Sequence, residues 1–212
     1  MVQIIPTVLV KTSAVWQQRV NQLADISQRL QVDILDGRFA NNTTISIDQI
    51  KNDRGLILDI HLMVEEPINW VEPCRSKGAS LVIGQIEKMS GQRRFVEIVK
   101  WANMKAGLAL DLETDVNRLD ANVINLVDHI LIMSVKAGFS GQLFDERVLA
   151  KIKAVRSMVG EKIEIGVDGG INETNIRQVV ETGADVVYVG KALWEATNIQ
   201  EKLNQLWSFC TL

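Results

Sequence analysis

Short apolar or β-branched runs recur along the chain between longer stretches whose apolar residues return at helical spacing. That alternation is the pattern of parallel strands joined by crossover helices. Eight such units can be read, with strands over Gln3–Leu9, Leu30–Asp36, Leu56–Met63, Leu81–Gln85, Ala106–Asp111, His129–Val135, Ile163–Asp168 and Val186–Gly190. Each is expected to be followed by a helix. Thr12 or Ser13 is placed to cap a helix over Ala14–Leu30, and Asn172 to cap one that runs through Glu181 and stops at Gly183. Pro67 suits a first helical turn. The last stretch, Ala192–Trp207, keeps the helical spacing and is expected to pack over strands eight and one. Eight units in 212 residues predict a single (β/α)8 TIM barrel domain over residues 1–212, with short loops. The competing architecture is an open doubly wound sheet, but the nucleotide-type Gly-x-Gly-x-x-Gly turn is missing after strand one.

Composition narrows the partners more than the fold. The 23 basic and 26 acidic residues form no long block of either sign, which removes the electrostatic footprint expected for nucleic acid or an anionic membrane. No apolar run approaches the length needed to cross a bilayer. Val2-Gln-Ile-Ile-Pro6 lacks the basic start and apolar core of a signal peptide, and Cys74 and Cys210 have neither metal-site spacing nor the density of a disulfide scaffold. A soluble protein of the reducing cytoplasm is expected, with any small anion bound at a local site.

Polar residues gather where strands end and βα loops begin, the rim on which barrels of this kind carry their sites. In Gln31-Val-Asp33-Ile-Leu35, side-chain alternation puts residues 31, 33 and 35 on one face, so Asp33 points into the barrel. His61 ends strand three within Asp59-Ile-His61-Leu-Met63. Strand six runs into a glycine-bearing loop, Met133 to Gln142, and strand seven into Val167-Asp168-Gly169-Gly170-Ile171-Asn172. Asp33 and Asp168 are thus expected on opposite walls of one mouth with His61 between them. A base on one face of a carbon beside a carbonyl, and an acid on the other, can invert that centre. A divalent metal among the same groups would act as a Lewis acid on the developing oxyanion. The glycine loops and helix starts after strands six to eight offer backbone N–H groups to an anion, for which phosphate is the obvious occupant.

The ordered set of motifs resembles the ribulose-phosphate 3-epimerase family from Ile5-Pro-Thr-Val-Leu9 to Val189-Gly-Lys-Ala192. The carriers are Val32-Asp33-Ile-Leu-Asp36-Gly-Arg-Phe39, Asp59-Ile-His61-Leu-Met63, Leu131-Ile-Met-Ser-Val135 with Gly138-Phe139 and Gly141-Gln142, and Val167-Asp168-Gly-Gly170. The resemblance implies a metal-assisted epimerisation at C3 of a ketose phosphate, D-ribulose 5-phosphate to D-xylulose 5-phosphate first, through an enediolate. It implies Asp33 and Asp168 as acid–base groups and metal ligands, and His61 as a third ligand. Met63 and Met133 would line the pocket, and Thr7 would touch substrate hydroxyls. Gly138, Gly141, Gly169, Gly170 and Gly190 would face the phosphate. A homo-oligomer is implied as well.

Departures from the family pattern bear on the chemistry. Gln31 stands where the family has a fourth metal ligand, a histidine. Its amide oxygen is neutral and harder than imidazole, so zinc affinity should fall, or a cation preferring oxygen (manganese, iron or magnesium) should take its place. Gln85 replaces a histidine usual at the end of strand four, and Lys191, after Gly190, replaces a small hydroxyl residue and brings a charge towards the phosphate. His129 cannot stand in for the missing ligand: four residues before Met133 on one strand is about 13 Å, towards the opposite end of the barrel. Asp36 and Asp59 read as structural carboxylates. These changes leave open an epimerase of another ketose phosphate, or a non-catalytic or regulatory phosphosugar-binding barrel.

Overall fold

The computed structural model describes residues 2–23 and 25–210. Eight parallel strands close into a barrel in chain order: β1 (Gln3–Val8), β2 (Arg29–Leu35), β3 (Ile57–Met63), β4 (Ala79–Gln85), β5 (Lys105–Leu110), β6 (His129–Met133), β7 (Glu164–Asp168) and β8 (Val186–Val189), with β8 paired to β1. Every predicted strand is present, its ends within two residues of those expected. The helices are α1 (Ser13–Leu23), α2 (Val71–Ser76), α3 (Gln92–Trp101), α4 (Arg147–Val159), α5 (Ile176–Glu181), α6 (Lys191–Trp194) and α7 (Ile199–Cys210).

The crossovers differ from expectation in five places. No α-helix follows β2 or β5; these connections hold 3-10 turns at Ile47–Gln49 and at Val116–Arg118 and Ile124–Leu126. Asp and Asn side chains there bond to nearby backbone, as Asp115 does to the Asn117 amide and Asp120 to the Asn122 amide, and such bonds compete with helix formation. Isolated apolar residues such as Ile45, Ile47 and Ile50 still reach the core and seal the barrel wall. Helix α1 stops at Leu23, not Leu30, because the Ile26 and Ser27 amides turn back onto the Leu23 carbonyl before β2 begins. Thr12 caps that helix by accepting the Val15 amide. Asn172 caps the turn before α5 rather than the helix itself, accepting the Thr174 amide at 2.8 Å. The C-terminal stretch is two helices, with Asn198 restarting α7 by accepting the Glu201 amide. Pro67 opens a 3-10 turn, as its fixed φ favours.

Alternation along the strands sorts the core into two compartments. Leu30, Val32 and Ile34 face outward against the helices with Leu58, Ile60, Ile130 and Val187, while Ile5, Leu35, Met63, Leu81, Ile83, Leu131 and Tyr188 fill the barrel lumen. The lumen also takes a layer of ionisable groups at its lower end. Arg29 contacts Asp59 at 2.8 Å and Glu164 at 3.0 Å, His129 meets Glu164 at 2.8 Å, and the Tyr188 hydroxyl donates to Asp59 at 3.0 Å. Gly166 makes room for this plug: a Cβ there would lie 2.5 Å from His129 Nε2 and 2.8 Å from the Tyr188 ring. His129 therefore belongs to the lower core, as its spacing from Met133 required.

Candidate active site

The upper end of the lumen is built from the next turn of the same alternation. In register, Thr7 lies beside Gln31, and Asp33 beside His61. Asp168 ends β7 next to Met133 and Tyr188. All of Thr7, Gln31, Asp33, His61 and Asp168 are buried. Asp33 and Asp168 come from strands separated by β1 and β8, yet one amide spans them: Gln31 Nε2 donates to Asp168 Oδ2 at 2.5 Å, to Asp33 Oδ1 at 3.1 Å and to Thr7 Oγ1 at 3.0 Å. Thr7 in turn donates its hydroxyl to Asp33 Oδ2 at 2.8 Å. His61 Nδ1 sits 3.1 Å from Asp33 Oδ1.

This packing bears on the titration of Asp168. Burial pushes Asp168 well above the ordinary carboxylate range, and the neighbouring Asp33 charge pushes it further, against the hydrogen bonds from Gln31 and the Gly169 amide. A carboxyl so placed keeps its proton where a solvated one would lose it.

Asp33, His61 and Asp168 also offer one ligand atom each within 4.8 Å of one another. Beside them, the Gln31 Oε1 atom is buried with no partner. Two carboxylate oxygens and one imidazole nitrogen suit a divalent cation, and the excess of oxygen donors suits a hard one; Gln31 turns its Nε2 towards both carboxyls, so its oxygen joins the set only if the amide turns over.

Above these groups opens a cavity of about 810 Å³. Thr7, Asp33, Met63, Met133 and Asp168 form its floor, and Gly138, Gly141, Gly169, Gly170, Gly190 and Lys191 lie along its wall. The wall is tightly built. Gly170, at φ +62°, passes so close to the facing loop that a Cβ would sit 2.5 Å from the Phe144 amide nitrogen. Lys191 leans over Gly141, and its Nζ lies 3.9 Å from Glu195.

Several supporting residues have no role assigned from the sequence, although Ser134 and Gln142 lie within its motifs. Asn42 donates to the Gly138 carbonyl at 2.8 Å, and Gln142 ties its own loop through Lys136 O and Phe139 O. Ser134 Oγ holds the Gly169 carbonyl. The Asp111 carboxylate accepts the Ala137 amide just before Gly138. Ser134 and Asp111 directly follow strand ends, whereas Asn42 and Gln142 lie further out in their loops, where nothing in the sequence ranks them. Asp36 is structural, accepting the Arg38, Phe39 and Glu65 amides. Asp59 lies in the plug below.

Comparison with known proteins decides what this barrel is related to. The ribulose-phosphate 3 epimerase family matches the chain over residues 3–194. The chain belongs to that family. A ribulose-phosphate 3-epimerase of Bacillus subtilis is 30% identical over 217 aligned positions, covering 97% of this chain and 98% of the relative. One from Synechocystis is 37% identical over 182 positions, covering 82% and 79% of the two chains. Among solved structures, a 3-hexulose-6-phosphate synthase superposes with a TM-score of 0.74 at 16% identity over 99% of this chain and 100% of that one, a likeness of fold alone. This member of the ribulose-phosphate 3-epimerase family is accordingly an isomerase on a TIM barrel. Among the described residues no helix is long and apolar enough to cross a membrane.

Proposed function

We propose that this chain interconverts the C3 epimers of a ketose phosphate, D-ribulose 5-phosphate and D-xylulose 5-phosphate first, with Asp33 and Asp168 as the two acid–base groups. The observation that carries the reading is two buried carboxyls bridged by a single amide, of which Asp168 is pushed well above the ordinary carboxylate range by burial and by the Asp33 charge. Asp33, as carboxylate, takes the C3 proton from one face and leaves an enediolate. Asp168, as carboxylic acid, returns a proton to the opposite face, so the sugar changes only in configuration while one proton passes in net from Asp168 to Asp33, and exchange with solvent resets the pair. The reverse direction exchanges the two roles. Thr7 holds the Asp33 carboxylate in line, and Met63 and Met133 keep water from the planar intermediate. The glycines of the cavity wall and Lys191 are placed to take the phosphate. A divalent cation held by Asp33, His61 and Asp168, with Gln31 Oε1 as a fourth donor once its amide turns over, would supply Lewis acidity to the developing oxyanion. Two cysteines without a disulfide, one buried, support a cytoplasmic setting.

The test is the metal content of the purified protein together with proton exchange at C3 of ribulose 5-phosphate in deuterated water. Metal and exchange are expected together. Absence of both would reject the epimerase and leave a phosphosugar-binding barrel, a reading to which the Gln31 amide, hydrogen-bonded across both carboxyls, lends some support.

The choice of cation gives a separate expectation. Gln31→His replaces the hard donor by imidazole and should tighten zinc binding by about 10–100-fold relative to manganese. Competitive titration of the metal-free protein measures this, and an unchanged zinc to manganese ratio would remove Gln31 from the ligand set.

A further inference from the structure

Behind His61, away from the two aspartates, stands Gln85, which is fully buried at the end of β4. The orientation of its amide is dictated by three neighbours. Glu87 Oε2 and the Ala109 carbonyl can only accept, so the Gln85 Nε2 group faces them, at 2.7 and 3.2 Å. Its Oε1 is thereby left facing His61 Nε2 at 3.2 Å. Glu87 is anchored too, its other oxygen accepting the Asp111 amide at 2.8 Å. No rotation of Gln85 satisfies the set as well, because the reverse orientation would aim an oxygen at two acceptors.

We propose that Gln85, oriented by Glu87 and the Ala109 carbonyl, is a positioning residue that keeps a proton on His61 Nε2 and so reserves His61 Nδ1 for the Asp33–Asp168 site. Facing an oxygen that cannot donate, Nε2 must carry the hydrogen. Nδ1 is then the ring nitrogen left facing Asp33, at 3.1 Å, and is the atom that a cation can take. Donation from the far ring nitrogen fixes the plane of the imidazole and raises its basicity as a ligand. A histidine at position 85 could switch between donor and acceptor by changing tautomer; an amide tied at its nitrogen end cannot. The inference rests on the reading of His61 as a metal-facing group. Its main measurement, made on metal-free protein, is independent of whether the chain epimerises anything.

The chain has only two histidines, His61 and His129, so long-range proton–nitrogen correlation on nitrogen-15 histidine-labelled, metal-free protein resolves both, with His129→Gln assigning the pair. His61 is expected to show hydrogen on Nε2. Gln85→Leu removes the acceptor, and the neutral form with hydrogen on Nδ1, donated to Asp33, should then appear. Manganese affinity should drop about 10–100-fold. Glu87→Gln, which preserves volume and frees the Gln85 amide to turn over, should produce the same changes to a smaller extent, and it keeps the test decisive if the Gln85→Leu variant does not fold. An Nδ1–H tautomer in the unsubstituted protein would overturn the proposal. So would an unchanged tautomer and unchanged manganese affinity in the folded variants.

Discussion

Asp168→Asn is expected to lower kcat by about 10³-fold and, in the metal-free protein, to raise the melting temperature. Both effects have one cause. The Asp168 carboxyl is raised above its ordinary value first by burial and then by the Asp33 charge, so ionising it costs the fold energy. A group raised in the folded state contributes stability that is complete below its unfolded value, and this contribution is lost as pH rises through the folded value. Asparagine keeps an oxygen for Gln31 to donate to and never ionises. The stability gap in favour of the variant should therefore be small at pH 5 and widen by pH 8, each kcal/mol appearing as about 2–4 °C. The catalytic loss should also be one-sided. If each carboxyl serves one face, Asp168→Asn and Asp33→Asn should each retain solvent exchange from a different epimer while neither completes epimerisation. Exchange from both epimers in either variant, or an Asp168→Asn protein less stable than its parent at pH 8, would contradict the assignment.

The chemistry of these carboxyls was legible because side chains alternate along β2. Once Gln31, Asp33 and Leu35 shared a face, placing Asp33 in the lumen required only the strand itself, and the same parity set His61 above Asp59 and His129 below Met133. The crossovers were less legible. Ile45, Ile47 and Ile50 carry apolar surface to the core from a segment whose backbone follows Asn, Thr and Asp turns, so periodicity suggested a helix that local hydrogen bonds prevent. What sequence could not give was orientation. Gln31 read as a weakened ligand because its oxygen was compared with a histidine nitrogen. In the folded protein its nitrogen faces the carboxyls and its oxygen is the unpaired atom, a choice made by Thr7 and Asp168 from other strands. Gln85 likewise read only as a missing histidine, because the Glu87 carboxylate that turns its amide acts through space.

Arg29→Met is expected to cost about 3–5 kcal/mol, lowering the melting temperature by roughly 10 °C. Arg29 is the cation shared by Asp59 and Glu164 at the floor of the lumen, and its own pKa is raised because these pairings outweigh the cost of its burial. The two acids respond differently. Burial pushes Glu164 up, but the hydrogen bonds from His129 and Arg29 outweigh it and hold the carboxyl at about 2. For Asp59 burial wins, leaving it raised even with Arg29 alongside, and its Oδ1 has no partner. The depressed Glu164 gives stability that is present above its unfolded value and lost as pH falls towards 2. Without Arg29, Asp59 rises further and favours the folded state only when protonated. Acidification from pH 7 to 5 should therefore narrow the gap between the two proteins, as read by urea unfolding at each pH. Arg29→Met combined with Asp59→Leu should recover part of the loss, because the second change removes the charge that the first left stranded. A loss below about 1 kcal/mol, or a gap that ignores pH, would mean that Tyr188 and His129 alone suffice to hold Asp59 in the barrel floor.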